Sequence, residues 1–181
     1  MKTFRKIHVL YLITGILLGL NTPACKKISL KKDEASLTIR MTDAPANYSK
    51  INVEVIGMEI FHENEGWITI PCEQGIYNLL ALQNNISVVL ADQVKVPVGT
   101  LTQIRLILGE RNTIETYTSV HELKVPSGSE SGLKIEVGQV ITSRDHLVLL
   151  IDFDASASVV ETGNDKYILK PVLKLKSAQK V

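Results

Sequence analysis

The sequence from Ser36 to Lys176 predicts an all-β domain, folded as a sandwich or a barrel. Three observations predict it. Apolar and polar residues alternate with a period of two through most of the segment. Turn signals recur between the alternating runs, as in "NEG", "VPVGT", "VPSGSESG" and "ETGNDK". Helical periodicity is sustained almost nowhere.

The chain opens "MKTFRKIHVLYLITGILLGLNTPAC". Lys2, Arg5 and Lys6 form a basic head, and Val9 to Leu20 is an apolar run shorter than the roughly 20 residues a spanning helix needs. With small residues at its end, this reads as a secretory signal over residues 1–24. A buried core helix is the alternative, and the absence of a polar face argues against it. Cys25, preceded by Ala24, resembles the lipobox of bacterial lipoproteins, in which signal peptidase II cuts before a cysteine whose sulfur carries diacylglycerol. Where that box usually has an aliphatic residue three before the cysteine, this chain has Thr22, followed by Pro23. Ordinary cleavage with Cys25 unmodified is therefore the other reading. An acylated Cys25 would anchor the protein to a membrane, each buried methylene contributing about 0.8 kcal/mol.

"KKISLKKDEAS" follows, basic and then acidic, and reads as a solvated tether spanning residues 25–35. The expected location is the cell envelope, by export and lipid anchoring, most simply at the outer membrane. Some surface-exposed lipoproteins carry an acidic run directly after the lipidated cysteine. Lys26 and Lys27 stand there instead, which favours a domain facing the periplasm.

The strands then follow in order. "SLTIRM" puts Leu37, Ile39 and Met41 on one face. In "INVEVIGMEIF" the apolar phase changes beside Gly57, from Ile51, Val53 and Val55 to Ile56, Met58 and Ile60, which predicts a bulge or a corner where the strand changes sheet. "GWITI" reads as a strand that packs Trp67 into the core. "GIYNLLALQNN" carries a leucine stripe that predicts at most a short helix near residues 77–84. "LTQIRLIL" places Thr102, Ile104, Leu106 and Leu108 on one face. "LVLLIDF" is apolar on both parities, as in a central strand. "KYILKPVLKL" alternates Tyr167, Leu169, Leu173 and Leu175 with lysines, and Pro171 within it predicts an edge or a bulge. Residues 177–181 are left as a tail.

In sequence, "LTIRMTDAPANYSKINVEVIGMEI", "GWITI", "YNLLALQNNISVVLADQVKVPVGTLTQIRLILGERNTI", "LKVPSGSESGLKI" and "LLIDFDASASVVETGNDKYILKPVL" resemble the family named domain of unknown function 4382, from about Leu37 to Leu175. The resemblance implies an exported bacterial or archaeal protein, often a lipoprotein, with an immunoglobulin-like or prealbumin-type β-sandwich. Asn78 stands where the family often has an aspartate, and a charged "SRDH" precedes "LVLLIDFD". The resemblance implies no activity, and a fold alone does not supply one.

The full chain carries 20 Lys+Arg and 19 Asp+Glu, so loss of the basic head leaves a domain near −2 in net charge. Such a domain has no electrostatic reason to bind nucleic acid. Cys72 is the one cysteine besides Cys25. If Cys25 is acylated, Cys72 has no partner in the chain, and burial as a small hydrophobe is expected over a reactive thiol.

Three aspartates invite a site: Asp43 in "MTDAP", and Asp152 and Asp154 in "IDFDAS". Asp152 and Asp154 would share one face of a strand and could ligate calcium, although no spacing supplies the six to eight oxygens that ion takes. The expected role is structural, each aspartate capping a turn or pairing with a cation such as Arg105, Lys134 or Lys170, and Asp43 fits an Asx-turn. No cofactor is required. His146, Asp152 and Ser156 or Ser158 contain the letters of a hydrolase triad, but six residues of strand put His146 roughly 20 Å from Asp152. The reading is a non-catalytic envelope lipoprotein that binds or supports another envelope component, a protein or a glycan. The alternatives are a carbohydrate-binding module using Trp67 as platform, and a hydrolase.

Overall fold

A computed structural model describes residues 33–126 and 132–181. Cys25, the signal and most of the tether lie outside the described residues. Among them the chain forms a β-sandwich of two sheets. The first sheet holds β1 (Glu34–Asp43), β5 (Val88–Pro97), β10 (His146–Phe153) and β13 (Leu173–Lys180), in the order β13-β10-β1-β5. β1 and β10 run parallel, and the outer pairs are antiparallel.

The second sheet is built around the 13-residue β2 (Lys50–His62). β6 (Gly99–Leu108) and β7 (Thr113–Glu115) follow one another along one side of it. β3 (Gly66–Ile70) and β4 (Gly75–Asn78) follow one another along the other. β9 (Leu133–Ile141) extends the sheet beyond β6, while β8 (Val120–Lys124), β12 (Lys166–Leu169) and β11 (Val159–Gly163) extend it beyond β7.

The period-two pattern sets the register. Leu37, Ile39 and Met41 pair with Leu147, Leu149 and Ile151, and all six are fully buried. Ile51, Val53, Val55, Met58 and Ile60 close the core from the other sheet. A slip of one residue would turn either set to solvent. The phase change beside Gly57 is a bulge within one sheet, with a register shift between Val55 and Gly57. Ile56, expected inward with Met58, is the extra residue and is exposed. A second shift, between Phe61 and His62, makes Thr102 the extra residue of β6 and buries Leu101 where Thr102 was expected inward.

Three further expectations need correction. "KYILKPVLKL" is two strands rather than one: β12 ends at Leu169, Lys170–Val172 crosses between the sheets, and β13 begins at Leu173. Pro171 lacks an N–H, so it belongs where no ladder bond is needed. Trp67 pairs with Phe61 across β3 and β2, on the parity opposite buried Ile70, and is half-buried on the outer face rather than in the core. Strand pairing also starts at Glu34 and ends at Lys180, taking in residues read as tether and tail.

The short helix near residues 77–84 is one 3-10 turn, Leu79–Leu82, capped by the Asn78 carboxamide, which accepts from Leu80 N–H at 3.3 Å. An Asn oxygen does this as an Asp oxygen would. A second helical turn, α1 (Ala155–Ser158), was not anticipated. It carries the chain out of the first sheet, and Lys170–Val172 carries it back after the β11–β12 hairpin. Ser158 ties the two crossings together: its hydroxyl accepts from Val172 N–H at 2.8 Å, and its carbonyl accepts from Lys170 N–H at 2.7 Å. Among the described residues no helix is long and apolar enough to cross a membrane.

Candidate functional site

The parallel pairing of β1 and β10 sets Thr42 opposite Asp152 and Asp43 opposite Phe153. Two aspartates 109 positions apart in the chain thereby reach the same end of the first sheet. Asp43 and Asp152 are 4% and 3% exposed, and both line a cavity of about 380 Å³. Lys174 and Lys176 line it from β13, and Asn84 and Asn85 from the loop before β5. Ala44 and Pro45 complete the wall.

Each of these side chains is placed by a local cause. Asp43 does not close a turn of its own: its Oδ1 accepts from the distant Ala155 N–H at 2.9 Å, which pins the start of α1 to the end of β1. Asp152 faces Lys174 across the β10–β13 ladder, with Nζ 3.0 Å from Oδ2. Lys176, two residues beyond Lys174 and therefore on the same face of β13, lines the same cavity. Thr42's buried hydroxyl lies 2.8 Å from the carbonyls of both Leu82 and Ile86 and holds the intervening loop over the end of β1. Within that loop Asn84 and Asn85 have φ of 56° and 67°, the left-handed region that asparagine tolerates better than most residues.

The electrostatics follow from burial. Asp43 has its pKa raised, first by desolvation, with the Asp152 charge adding to the rise against the pull of Ala155 N–H, the Gln83 side chain and Ala44 N–H. The hydrogen bond to Asp152 holds the Lys174 ammonium above its usual range. Two enclosed oxygens, Asp43 Oδ2 and Asp152 Oδ1, have no partner at full hydrogen-bond geometry, although the Gln83 side chain and Ala44 N–H are near enough to Asp43 to pull on its carboxyl. Buried acceptors of this kind are uncommon in folded proteins.

Asp154 does not join them. The strand ends at Phe153, and Asp154 caps α1, accepting from Ala157 N–H at 3.0 Å and from the Ser156 hydroxyl at 3.2 Å. The cation for Asp152 is Lys174, not Arg105, Lys134 or Lys170. Arg105 instead bonds Glu59 at 2.6 Å and lies 3.7 Å over the Trp67 ring, while Phe61 meets that ring edge-on at 5.2 Å. One face of Trp67 is thus already covered.

His146 bonds the Thr38 hydroxyl at 2.9 Å, at the opposite end of β10 from Asp152. The Ser158 hydroxyl donates to the Asp154 carbonyl and accepts from Val172, so both its roles serve the crossing. His62 is buried between Asn64 N–H, which donates to Nδ1, and the Val98 carbonyl, which accepts from Nε2. These two partners fix a neutral tautomer. Cys72 is a free, half-buried thiol packed on the core, its pKa raised by desolvation and by Glu73. Among the described residues no group of three or more His, Cys, Asp or Glu side chains is arranged to hold a metal.

Sequence reasoning found Asp43 and Asp152 but missed Lys174, Lys176, Asn84 and Asn85. The "NN" pair was a readable signal for left-handed backbone; the lysines depended on the β10–β13 pairing, which no local pattern gives. Reasoning also missed Glu54, whose carboxylate takes Arg111 Nε at 2.8 Å, Arg111 Nη2 at 2.6 Å and Arg111 N–H at 2.9 Å. Asn112 accepts from Glu54 N–H at 2.9 Å and donates to the Gly109 carbonyl at 2.7 Å. The loop from Gly109 to Asn112 is thereby fastened where β6 gives way to β7, and a Cβ at Gly109 would overlap the Glu54 carboxylate.

No curated protein and no solved structure matches the chain. A family model, described as a domain of unknown function (DUF4382), matches residues 34–171. That span includes Asp43, Asn84, Asn85 and Asp152 and stops short of Lys174 and Lys176. With β1 to β12 inside it, the chain belongs to the DUF4382 family.

Proposed function

We propose that this protein is a non-catalytic cell-envelope lipoprotein whose β-sandwich binds another envelope component. The observation that carries binding is the cavity of about 380 Å³ at the end of β1 and β10, where two nearly buried aspartates meet two lysines and two asparagines. Charged and amide groups converging on one concave site are what recognition of a polar ligand requires. The anchor and the location rest on sequence: a basic head, an apolar run and Cys25 after Ala24. Outer-membrane attachment with the domain facing the periplasm is the arrangement these residues favour. A non-catalytic role is supported by Ser158 and Asp154, whose polar atoms are engaged in holding α1 and the crossing. A sugar platform at Trp67 has less support, because Arg105 lies against its ring.

Photocrosslinking in the intact envelope tests the reading. A photoreactive residue in place of Pro45, which is exposed beside the cavity, is expected to capture a discrete envelope component. The same group in place of Tyr117, exposed and outside that lining, should not capture it. Equal capture at both positions, or none at Pro45, would overturn the proposal.

A further inference from the structure

The chain enters the sandwich at one end of β1, and the Asp43–Asp152 cavity lies at the other. At the entry, the Asp33 carbonyl accepts from Val98 N–H at 3.3 Å, and Ser36 N–H donates to the Asp145 carbonyl at 2.9 Å. Glu63 N–H donates to the Thr100 carbonyl at 3.0 Å, and Val181 N–H to the His146 carbonyl at 2.9 Å. The β2–β3, β5–β6 and β9–β10 turns and the end of β13 therefore gather around Glu34. At the far end Thr42 holds the loop before β5 over the strand, and Asp43 takes the start of α1.

Two lengths decide which end can reach a membrane that holds Cys25. β1 has 10 residues, about 30 Å at the rise of a strand. Whatever its conformation, the chain from Cys25 to Glu34 cannot span more than about 30 Å. For the cavity to face that membrane the sandwich would have to invert. Glu34 would then stand off the lipid by the whole of β1, with the loop before β5 and α1 beneath the strand. A tether drawn straight matches β1 alone and leaves no length for those segments. The exposed turn residues around the entry, Glu63, Asn64, Ser143 and Arg144, are polar, so that end can meet headgroups without inserting.

We propose that the acylated protein holds the Asp43–Asp152 cavity away from its anchoring membrane, so that the cavity takes a ligand from the aqueous compartment and not a lipid of that membrane. Basic pockets elsewhere do bind lipid headgroups, and two lysines line this one. The orientation excludes that source. It rests on the lipid-anchor reading and adds to it which end of the sandwich is free.

The test is energy transfer from a fluorophore on the full-length protein to headgroup-labelled lipid in phosphatidylcholine vesicles. A clickable residue carries the fluorophore in place of Ser143 in one variant and of Pro45 in another; both positions are exposed, and the chemistry spares the Cys72 thiol. Transfer from position 143 should be several-fold more efficient than from position 45. A Gly/Ser insert after Lys32 lengthens the tether and should bring the two values together. Anchored protein in which position 45 transfers as well as position 143, or better, would overturn the orientation. So would a difference that the longer tether leaves unchanged. Failure of the anchor reads differently: wild type would not associate with the vesicles at all, which would overturn anchor and orientation together.

Discussion

At the scale of single residues, two aspartates make opposite predictions for acid and neutral pH. Burial raises the pKa of Asp43 above its unfolded value. A carboxyl raised in this way keeps its contribution to stability below the unfolded pKa and loses it as pH rises through the folded pKa. Asn at this position cannot ionise and still accepts from Ala155. Asp43→Asn is therefore expected to gain stability relative to wild type as pH rises through that folded pKa, read as urea midpoints from about pH 3 to pH 7. A difference that stays flat, or runs the other way, would contradict the burial argument. Asp145 is the reverse case: Thr142 N–H and Lys180 hold its pKa down at about 2. Its stabilisation is present above the ordinary value near 3.8 and is lost as pH falls toward 2. Asp145→Asn should be less stable than wild type near neutrality, with the gap closing between about pH 4 and pH 2 in the same urea series. Nothing in the local sequence separates these two residues. Residue type marked Asp43 and Asp152 as candidates, but their partners, Ala155 and Lys174, are set by strand order and by the β10–β13 register.

At the scale of elements, alternation was readable and its interruptions only in part. Every run read as alternating is paired in a sheet, because one buried face enforces the period. The bulge at Ile56 was readable, because the apolar phase changes beside Gly57, whereas the one at Lys176 was not, because leucines and lysines keep alternating up to it. The crossings escape such a reading too: "KYILKPVLKL" keeps one parity on both sides of Pro171, so two strands in different sheets look like one. Ser158 is where these crossings can be tested. It is fully buried, and its hydroxyl is the partner of Val172 N–H. Ser158→Ala would orphan that donor at a cost of about 1–3 kcal/mol, measured as a lower urea midpoint with an unchanged slope. Ser156 is exposed and bonds only the cap, so Ser156→Ala should stay within about 0.5 kcal/mol. A catalytic serine at position 158 would show loss of activity with little change in stability, and that pattern would reject the structural role. Phe153, buried at the end of β10 beside the same crossing, gives the scale for comparison: Phe153→Ala should cost about 3–5 kcal/mol.

At the scale of the whole molecule, the sandwich and the lipid anchor proposed at Cys25 should behave as separable properties. Among the described residues the core of the two sheets is drawn from Ala35 to Leu169. The sandwich class was legible because both inner faces carry Leu, Ile, Val and Met at period two. The parallel β1–β10 pair was not legible, because no local residue pattern distinguishes a parallel neighbour from an antiparallel one. Yet that pair brings Asp43 and Asp152 to one cavity, so the candidate site could not be assembled from sequence alone. Separability makes the anchor testable without disturbing the site. The mature protein should begin at Cys25 and carry acyl mass in an intact-mass spectrum, and it should partition into the detergent phase. Cys25→Ser should move it to the aqueous phase while leaving the melting temperature unchanged. An unmodified Cys25 in the wild-type spectrum would end the lipoprotein reading. A melting temperature several degrees lower in Cys25→Ser would end the claim that anchor and sandwich are independent, since about 1 kcal/mol shifts a domain of this size by roughly 2–4 °C.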